Sequence, residues 1–281
     1  MKLSGKTCLI TGANSGLGFA TAKQFAELGA NVVLVCRDFQ KGKNAMKEIK
    51  KEVPGANLEL MICDLASIKS ILDFTKKFKE THSELNVLFN NAAVLTQNRT
   101  VTEDGYEMMF QINYLAPVLL TTSLLDMLKG STEARIINIA VPPEKLWVNF
   151  DDLQFLTHYK PFDEFMRTKL YLLLYSIELS KRLAGTGGII VNSIDPGLFK
   201  SGLRRESPWL LGKITDLFAV TADKAAESIV FHTLSNEAAE NSGKVFVRRQ
   251  EKMLIPYWND SQVRKRLWSV TESLIDKHST V

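Results

Sequence analysis

Glycine residues near the start of the chain give the first pattern that could do chemistry. The segment 11–18, Thr-Gly-Ala-Asn-Ser-Gly-Leu-Gly, lies between a β-branched run and a helical pattern. Glycine lets the backbone turn sharply and approach a phosphate, and a helix N-terminus adds free N–H groups and a positive dipole end. A glycine pattern placed directly after the first strand predicts a dinucleotide site. The expected contacts are Gly12, Asn14, Ser15, Gly16, Leu17 and Gly18. The alternative is a tight strand-to-helix turn that binds nothing.

Arg37 indicates which dinucleotide the chain would bind. It follows the second apolar run at Cys36, where a site selective for NAD places an acid against the ribose 2′-hydroxyl. A guanidinium can instead form a fork with a 2′-phosphate, and this favours NADP(H). An exposed loop charge is the alternative for Arg37. Asp38 could compete as the acid, but its position before a helical pattern predicts a helix cap.

The elements that must position these residues alternate along the chain. Apolar runs of strand length occur at 7–11, 31–35, 58–63, 85–89, 135–139, 188–194 and 245–247. Helical patterns separate them, at 16–28, 39–52, 67–82, 103–128, 163–184 and 222–235. This alternation predicts the α/β class, with a single doubly wound, Rossmann-like parallel sheet, helices on both faces and one domain over 1–281. Ligands bind such sheets at the carboxyl ends of the strands.

The composition excludes several other classes of protein. The 281 residues are 45% hydrophobic, and their net charge is +4, with basic residues scattered rather than gathered in the arm or stripe that nucleic-acid binding predicts. The three cysteines lack the spacing of a zinc motif, so we expect buried thiols in a reducing compartment and no metal site. No apolar stretch approaches about 18 residues and no secretory signal is apparent, so we expect a cytoplasmic protein without a membrane span.

Further motifs occur over most of the chain: Gly-x-x-x-Gly-x-Gly at 12–18, Cys63-Asp64-Leu65, Asn90-Asn91-Ala92-Ala93, Asn113, Lys169 and Pro196-Gly197. Together they resemble the short-chain dehydrogenase/reductase superfamily. Three further phrases resemble its retinol dehydrogenase branch: Cys36-Arg37-Asp38, Asp152-Leu153-Gln154 and Arg266-Leu267-Trp268. Ala93 stands where the family motif has a fourth-position glycine, which adds a methyl group near the expected cofactor.

The resemblance implies a role for each matched residue. Asp64 and Leu65 would bracket the adenine, and Asn90 would lie near its ribose. Lys169 would hold the hydroxyls of the nicotinamide ribose, and Ser201 would reach the carboxamide. The resemblance also adds Ala92, Pro196 and Gly197 to the cofactor contacts, and it implies that Asn113 and Lys169 are the catalytic residues that remain.

The catalytic serine and tyrosine of the family have no match. The family reduces carbonyls by hydride transfer, with a tyrosine four residues before the lysine as proton donor and a serine after the fifth strand that orients the carbonyl. None of the six tyrosines is followed by lysine at that distance, and Phe165 stands four residues before Lys169. The serine position falls at Ala140 or Val141, depending on the direction of counting, and residues 132–175 contain no serine.

Three functions are open on these grounds. Cofactor residues without proton-transfer residues favour an NADP(H)-binding pseudoenzyme that acts as a cofactor sensor or partner subunit. The first alternative is an active NADPH-dependent oxidoreductase on a lipophilic carbonyl, enone or iminium. Its proton source would be His158, Tyr159 or a water relayed through Asn113 and Lys169. The second alternative is a non-redox catalyst or a binder of apolar ligands, because Ala140, Val141 and Phe165 would form an apolar pocket.

Two segments near the C-terminus are rich in apolar side chains. Residues 203–219 match the mobile lid of the family, and their apolar side chains suit a lipophilic small molecule or a helix packed on the sheet edge. Residues 259–276 repeat apolar side chains with the helical period, which predicts an amphipathic C-terminal helix packed on its own domain. The resemblance implies a homo- or hetero-oligomer formed through the helices at 103–128 and 163–184.

Overall fold

The computed structural model describes residues 1–186, 188–197, 220–235 and 242–279, and a sheet of eight strands lies at its centre. The strands are β1 Thr7–Thr11, β2 Asn31–Cys36, β3 Asn57–Ile62, β4 Val87–Asn90, β5 Ala134–Ile139, β6 Ile189–Asp195, β7 Val245–Val247 and β8 Gln250–Lys252. Their spatial order is β3-β2-β1-β4-β5-β6-β7-β8, and neighbours are parallel except β7 with β8. The predicted doubly wound sheet is confirmed, with antiparallel β8 added at one edge.

Helices cover both faces of this sheet. They are α1 Gly16–Glu27, α2 Phe39–Glu52, α3 Ile68–Thr81, α4 Met108–Phe110, α5 Ala116–Ser123, α6 Leu125–Lys129, α7 Pro161–Arg182, α8 Ala222–Leu234, α9 Pro256–Asn259 and α10 Ser261–Ser279. Helices α1, α2 and α8 share one apolar cluster with Cys8 and Ile10, whereas α3, α5, α7 and α10 share the other with Leu9. The alternation follows from the two-residue period of a strand. The inner strands β1, β2, β4, β5 and β6 are therefore buried on both faces, which explains why they are mainly apolar, whereas the edge strand β3 alternates buried and exposed residues.

Side-chain caps fix where two of the helices begin. Asp38 accepts a hydrogen bond from the Lys41 backbone N–H at 2.9 Å, which confirms its predicted role as the cap of α2. Ser67 caps α3 in the same way through the Ser70 backbone N–H at 3.3 Å. The Asp38 carboxylate is thus engaged by its own helix.

Residues 103–128 do not form the single long helix that the sequence predicts. Helix α4 passes into a π-helical turn at Gln111–Leu115, in which the Ala116 N–H bonds to the Gln111 carbonyl five residues earlier. Pro117 has no N–H to give to the carbonyl four residues before it, which favours the wider turn. A second break at Leu124, with φ −103° and ψ 7°, separates α5 from α6.

Ser201 and the predicted lid at 203–219 lie outside the described residues. Helix α10 occupies the region where the sequence predicts a helix at 259–276. Within the described ranges, no helix combines the length and apolarity needed to cross a membrane.

Candidate functional site

The glycine turn, residues 12–18, leaves open space at its centre. Gly12 and Gly16 have left-handed backbones, with φ of +67° and +57°, a region that favours glycine. A Cβ on Gly16 would meet nothing within 4 Å among the described residues. A Cβ on Gly18 would lie 2.5 Å from the Gly12 carbonyl oxygen, so glycine is needed for α1 to pack this closely. The turn is therefore closely packed at Gly12 and Gly18 and open at Gly16.

The start of α1 carries no side-chain cap. Ser15 precedes it with an extended backbone, φ −163°, and its side chain makes no capping hydrogen bond. Ser15 is exposed and Asn14 is half-buried, whereas Leu17 belongs to the apolar core. The first N–H groups of α1 are consequently available to an anion.

A threonine holds this turn against the neighbouring strand. Thr11 Oγ1 accepts hydrogen bonds from the backbone N–H groups of Asn91 at 3.0 Å and Ala92 at 3.1 Å. The Thr11 carbonyl oxygen accepts a third from the Asn91 side chain at 2.8 Å. Sequence reasoning missed this residue, and its signal was a hydroxyl at the end of an apolar strand. The contact sets the distance between the glycine turn and the end of β4.

Arg37 is exposed at the carboxyl end of β2, beside β1 in the sheet. It forms no hydrogen bond or ion pair with the part of the chain that the structure describes. The Asp38 carboxylate caps α2 and forms no ion pair with Arg37. The guanidinium is thus free to meet an anion next to the glycine turn.

Asp64 and Leu65 lie in a turn at the carboxyl end of β3. The Asp64 N–H donates to Ser70 Oγ at 2.9 Å, and Asp64 Oδ1 accepts from the Ala66 N–H at 3.0 Å. Leu65 packs into the core beneath. The local hydrogen bonds fix both residues two strands away from β1.

Buried amides connect β4 and β5 to helix α7. Asn90 Nδ2 donates to Asn138 Oδ1 at 2.8 Å, and Asn138 Nδ2 donates to Ser176 Oγ at 2.7 Å. Asn90 Nδ2 also bonds Thr121 Oγ1 at 3.3 Å. The Asn90 Oδ1 atom is buried and has no hydrogen-bond partner among the described residues. Sequence reasoning missed Asn138 and Ser176 as parts of this network, although an amide within an apolar strand was a usable signal.

Lys169 is buried without an acidic partner among the described residues. Its Nζ donates to the Ile139 carbonyl oxygen at 3.1 Å and lies 5.5 Å from the centre of the Phe165 ring. Its exposed fraction is 2%. Burial disfavours the charged amine and lowers the pKa of Lys169 from 10.5 to about 8. The amine is therefore held between a backbone carbonyl and an aromatic ring.

Apolar side chains stand at the positions where the resemblance places serine and tyrosine. Ala140 follows β5 directly and is fully buried, and Val141 is half-buried. Phe165 lies one turn before Lys169 on α7 and is also half-buried. The hydrogen bond from Lys169 to the end of β5 brings these positions together. None of the side chains at 140, 141 and 165 carries a proton that it could donate.

Asn113 lies in the π-helical turn and is fully buried. Its Oδ1 accepts from the Val94 N–H at 2.8 Å, and its Nδ2 donates to the Val94 carbonyl at 2.9 Å and to Thr168 Oγ1 at 3.2 Å. Thr168 directly precedes Lys169, and sequence reasoning missed it. The amide side chain of Asn113 thus positions the segment after β4 against α7.

The two other proton donors considered from the sequence lie in the loop after β5. His158 is exposed, with a left-handed φ of 54°. The Tyr159 hydroxyl shares a hydrogen bond with Thr96 Oγ1 at 2.7 Å and donates to Glu107 Oε1 at 3.5 Å. Burial raises the pKa of Tyr159 to about 12, and it also raises the pKa of the Glu107 carboxyl. The Tyr159 phenol is a weak acid, and its contacts anchor the loop.

Pro196 and Gly197 follow β6 at the same edge of the sheet. Gly197 has a φ of +76°, and its N–H donates to Asp195 Oδ1 at 2.8 Å. A Cβ on Gly197 would lie 2.8 Å from Arg248 Nε. The Arg248 N–H in turn donates to the Asp195 carbonyl at 2.7 Å. The segments that follow β6 and β7 are thus held together at the carboxyl edge of the sheet, next to the end of β5.

The described residues fit a nicotinamide dinucleotide. The open surface at Gly16, the uncapped start of α1, the exposed Arg37 and the unpartnered Asn90 oxygen offer contacts for phosphates and a ribose. No group of three or more His, Cys, Asp or Glu within the described ranges could hold a metal ion. The arrangement suits an elongated anion along the carboxyl ends of the strands.

Known proteins resemble this chain over most of its length. Residues 6–145 match the family model described as short chain dehydrogenase. Human retinol dehydrogenase 13 is 36% identical over 283 residues, which cover 97% of this chain and 85% of that protein. Human retinol dehydrogenase 12 is 34% identical over 278 residues, which cover 98% of this chain and 88% of that protein.

Solved structures share the same fold. An uncharacterised protein from Mycobacterium paratuberculosis has a TM-score of 0.78 at 25% identity, with 98% of this chain and 95% of that chain covered. A metagenomic short-chain oxidoreductase in complex with NADP has a TM-score of 0.67 at 22% identity, with 88% and 97% covered. Because relatives above 30% identity span nearly the whole sequence, the chain belongs to the short-chain dehydrogenase family and has retinol dehydrogenases among its relatives.

Proposed function

We propose that the protein binds NADP(H) at the carboxyl edge of its sheet and does not carry out the carbonyl reduction typical of its family. The observation that carries this proposal is the environment of Lys169. Its amine contacts the Ile139 carbonyl and the Phe165 ring, and a phenyl ring stands where the family resemblance places a phenol. The protein would act as a cofactor sensor or as the cofactor-dependent partner of another subunit.

Different residues of the chain would bind different parts of the cofactor. The open glycine turn and the first N–H groups of α1 would hold the pyrophosphate. Arg37 would form a fork with the 2′-phosphate and so select NADP(H) over NAD(H). Asn90 would accept a hydrogen bond from a ribose hydroxyl, and Lys169 would donate one to the second ribose. The carboxyl ends of β2, β1, β4 and β5, which are neighbours in the sheet, would thus form a continuous binding surface.

The missing step is proton transfer. When bound, the nicotinamide ring supplies a hydride to a carbonyl carbon. The carbonyl oxygen must then receive a proton, and the side chains at Ala140, Val141 and Phe165 have none to give. Loss of a positioned general acid typically costs about 10²–10⁴-fold in rate. Loss of the orienting hydroxyl lowers the rate further.

A second candidate function rests on the lowered pKa of Lys169. A pKa of about 8 leaves the amine protonated at neutral pH and makes it a stronger acid than an ordinary lysine. An NADPH-dependent reductase could use this proton directly or through water on an enone or iminium, which need little acid assistance. The apolar side chains at Ala140, Val141 and Phe165 suit a lipophilic ligand, either as its substrate or as a molecule bound without reaction.

Calorimetric titration with NADPH and NADH tests the binding proposal. We expect NADPH to bind at least about tenfold more tightly than NADH, since a lost charged hydrogen bond costs roughly 1.5–3 kcal/mol. Arg37→Ala should remove this preference, whereas Lys43→Ala, which changes an exposed lysine of α2, should preserve it. Equal affinities for both cofactors in the unmodified protein would contradict the assignment of Arg37.

Turnover separates the two candidate functions. We expect no NADPH oxidation above background with a panel of aldehydes, ketones, enones and iminium ions. Turnover that Lys169→Ala abolishes would refute the non-catalytic proposal. A rate that falls above pH 8 would then support Lys169 as the proton source.

A further inference from the structure

The C-terminal helix α10 lies in a groove between the π-helical turn and α7, the two elements that carry Asn113 and Lys169. On the first side of the groove, the Tyr114 hydroxyl shares a hydrogen bond with Thr271 Oγ1 at 2.6 Å. The Tyr106 hydroxyl donates to the Leu274 carbonyl oxygen at 3.0 Å. Tyrosines from the neighbourhood of Asn113 therefore bond directly to the C-terminal helix.

Aromatic stacking fixes the helix to the second side of the groove. The Tyr175 and Trp268 rings are parallel within 7°, and their centres lie 5.0 Å apart. The Arg182 guanidinium lies 4.2 Å from the centre of the Trp268 ring on α10. Trp268 is thus held between two residues of α7.

A buried ion pair sets the register of the two helices. Arg264 Nε lies 3.5 Å from Glu178 Oε2, and the side chains are 6% and 5% exposed. Arg264 Nη1 also donates to the Trp258 carbonyl oxygen at 2.9 Å. A shift of α10 along the groove would leave a buried charge without its partner, so the pair disfavours other registers.

The faces of the two helices complement each other. On α7, the residues of this face follow one another at intervals of four, three and four positions: the buried Tyr171, Tyr175 and Glu178 and the exposed Arg182. The inward residues of α10 have the same helical period: Arg264, Leu267, Thr271 and Leu274. The outward face of α10 is polar and exposed: Lys265, Ser269, Glu272 and Asp276. Once α10 is in place, its described side chains, which end at Lys277, offer no apolar stripe to another molecule.

We propose that α10 occupies the surface through which the helices at 103–128 and 163–184 could otherwise pair with a second copy of this chain. The occupant of the groove is the chain's own C-terminal helix, joined to α9 by the single residue Asp260. Without it, Tyr114 and Tyr175 would line an exposed aromatic groove of the kind that self-associates. The chain is therefore closed to a second copy at this face. This inference is independent of whether the cofactor binds or reacts.

Hydrogen exchange read by mass spectrometry, at a low and a high concentration of the full chain, tests this inference. We expect the protection of α7 and α10 to be the same at both concentrations. Trp268→Glu places a charge in the groove and should increase hydrogen exchange in α10 at least tenfold. Light scattering of this variant should show association that grows with protein concentration. Ser269→Glu adds the same charge at the neighbouring exposed position and should behave as the unmodified protein, because it points away from the groove.

Two results would overturn the inference. One is protection of α7 that rises with concentration in the unmodified protein while protection of α10 falls, since a second copy would then be replacing α10. The other is an unprotected α10 at every concentration. If Trp268→Glu does not fold, Thr271→Val replaces it, because valine keeps the shape and removes the bond to Tyr114. Its α10 should exchange severalfold faster, and an unchanged rate would count against the proposed docking.

Discussion

Lys169 and Phe165 lie one turn apart on α7, and the amine nitrogen of Lys169 is 5.5 Å from the centre of the Phe165 ring. In an active member of the family, the resemblance implies that this lysine lowers the pKa of a phenol. Here the ring has no hydroxyl, and the amine keeps the Ile139 carbonyl as its hydrogen-bond acceptor. The relationship leaves a buried amine beside the proposed cofactor surface, so the proposed loss of proton transfer can be tested separately from binding.

Phe165→Tyr combined with a serine at position 140 or 141 should create carbonyl reduction. The phenol would lie beside Lys169, and the serine would orient the substrate, so we expect NADPH oxidation to rise by about 10²–10⁴-fold. Steady-state assays of Phe165→Tyr with Ala140→Ser and of Phe165→Tyr with Val141→Ser would show which position matches the serine.

Phe162→Tyr is the control for this restoration, because Phe162 is an exposed phenylalanine on the first turn of the same helix. It should leave the rate at background in both serine backgrounds. If neither restored double variant gains activity while NADPH still binds, the proton-transfer residues are not all that was lost.

Lys169→Met should stabilise the fold at neutral pH. Burial lowers the pKa of Lys169 from 10.5 to about 8, which corresponds to about 3 kcal/mol against the charged form. Between these values the unfolded chain binds a proton that the folded chain does not, so the stability of the unmodified protein rises with pH there. The advantage of methionine, about 1–3 kcal/mol at pH 7, should therefore shrink as the pH passes from 8 to 10.5.

Urea unfolding at several pH values measures this difference. Lys181→Met changes an exposed lysine of α7 and should show no such pH dependence. NADPH affinity should fall for Lys169→Met and stay unchanged for Lys181→Met. A methionine variant less stable than the unmodified protein at pH 7 would argue that the amine stabilises the fold.

Gly16→Ala should weaken NADPH binding beyond its effect on stability. Gly16 and Gly5 both have left-handed backbones, with φ of +57° and +74°, and a Cβ on either meets nothing within 4 Å of the described residues. Both alanine variants should lose about 1–2 kcal/mol of stability through backbone strain. We expect only Gly16→Ala to reduce NADPH affinity, by at least about tenfold, because its methyl group would stand where the phosphates approach. Equal affinities of the two variants in calorimetry would place the phosphates elsewhere.

Thr11→Val should loosen the contact between the glycine turn and β4. Valine keeps the shape of threonine but leaves the Asn91 and Ala92 N–H groups without their acceptor, at a cost of about 2–4 kcal/mol. The midpoint of urea unfolding and the NADPH affinity should both fall. Thr7→Val, at the other end of β1, is the control, because the Thr7 hydroxyl makes no hydrogen bond within the described ranges and its loss should cost under about 1 kcal/mol. Thr11→Val unfolding at the same urea concentration as Thr7→Val would show that the contact is not needed.

Features that depend on short distances along the chain were readable from the sequence. The glycine turn after β1 and the Asp38 cap of α2 are set by the residues themselves, because backbone conformation and capping act within one helical turn. The alternation of apolar runs with helical patterns predicted the parallel sheet, because strands that helices cover on both faces must be apolar. The absence of a tyrosine four residues before Lys169 is equally local.

Contacts between distant segments were decided by the tertiary structure. The bond from Lys169 to the Ile139 carbonyl joins residues thirty positions apart, and the pairing of Tyr114 with Thr271 spans more than half of the chain. Neither follows from composition or period, because a buried polar group takes whichever partner the packing of helices on the sheet brings near. The sequence alone determined which side chains stand at the candidate site, including Ala140, Val141 and Phe165. The fold decided that the lysine is buried among apolar groups and that the C-terminal helix covers α7, because burial and helix packing arise only when distant segments meet.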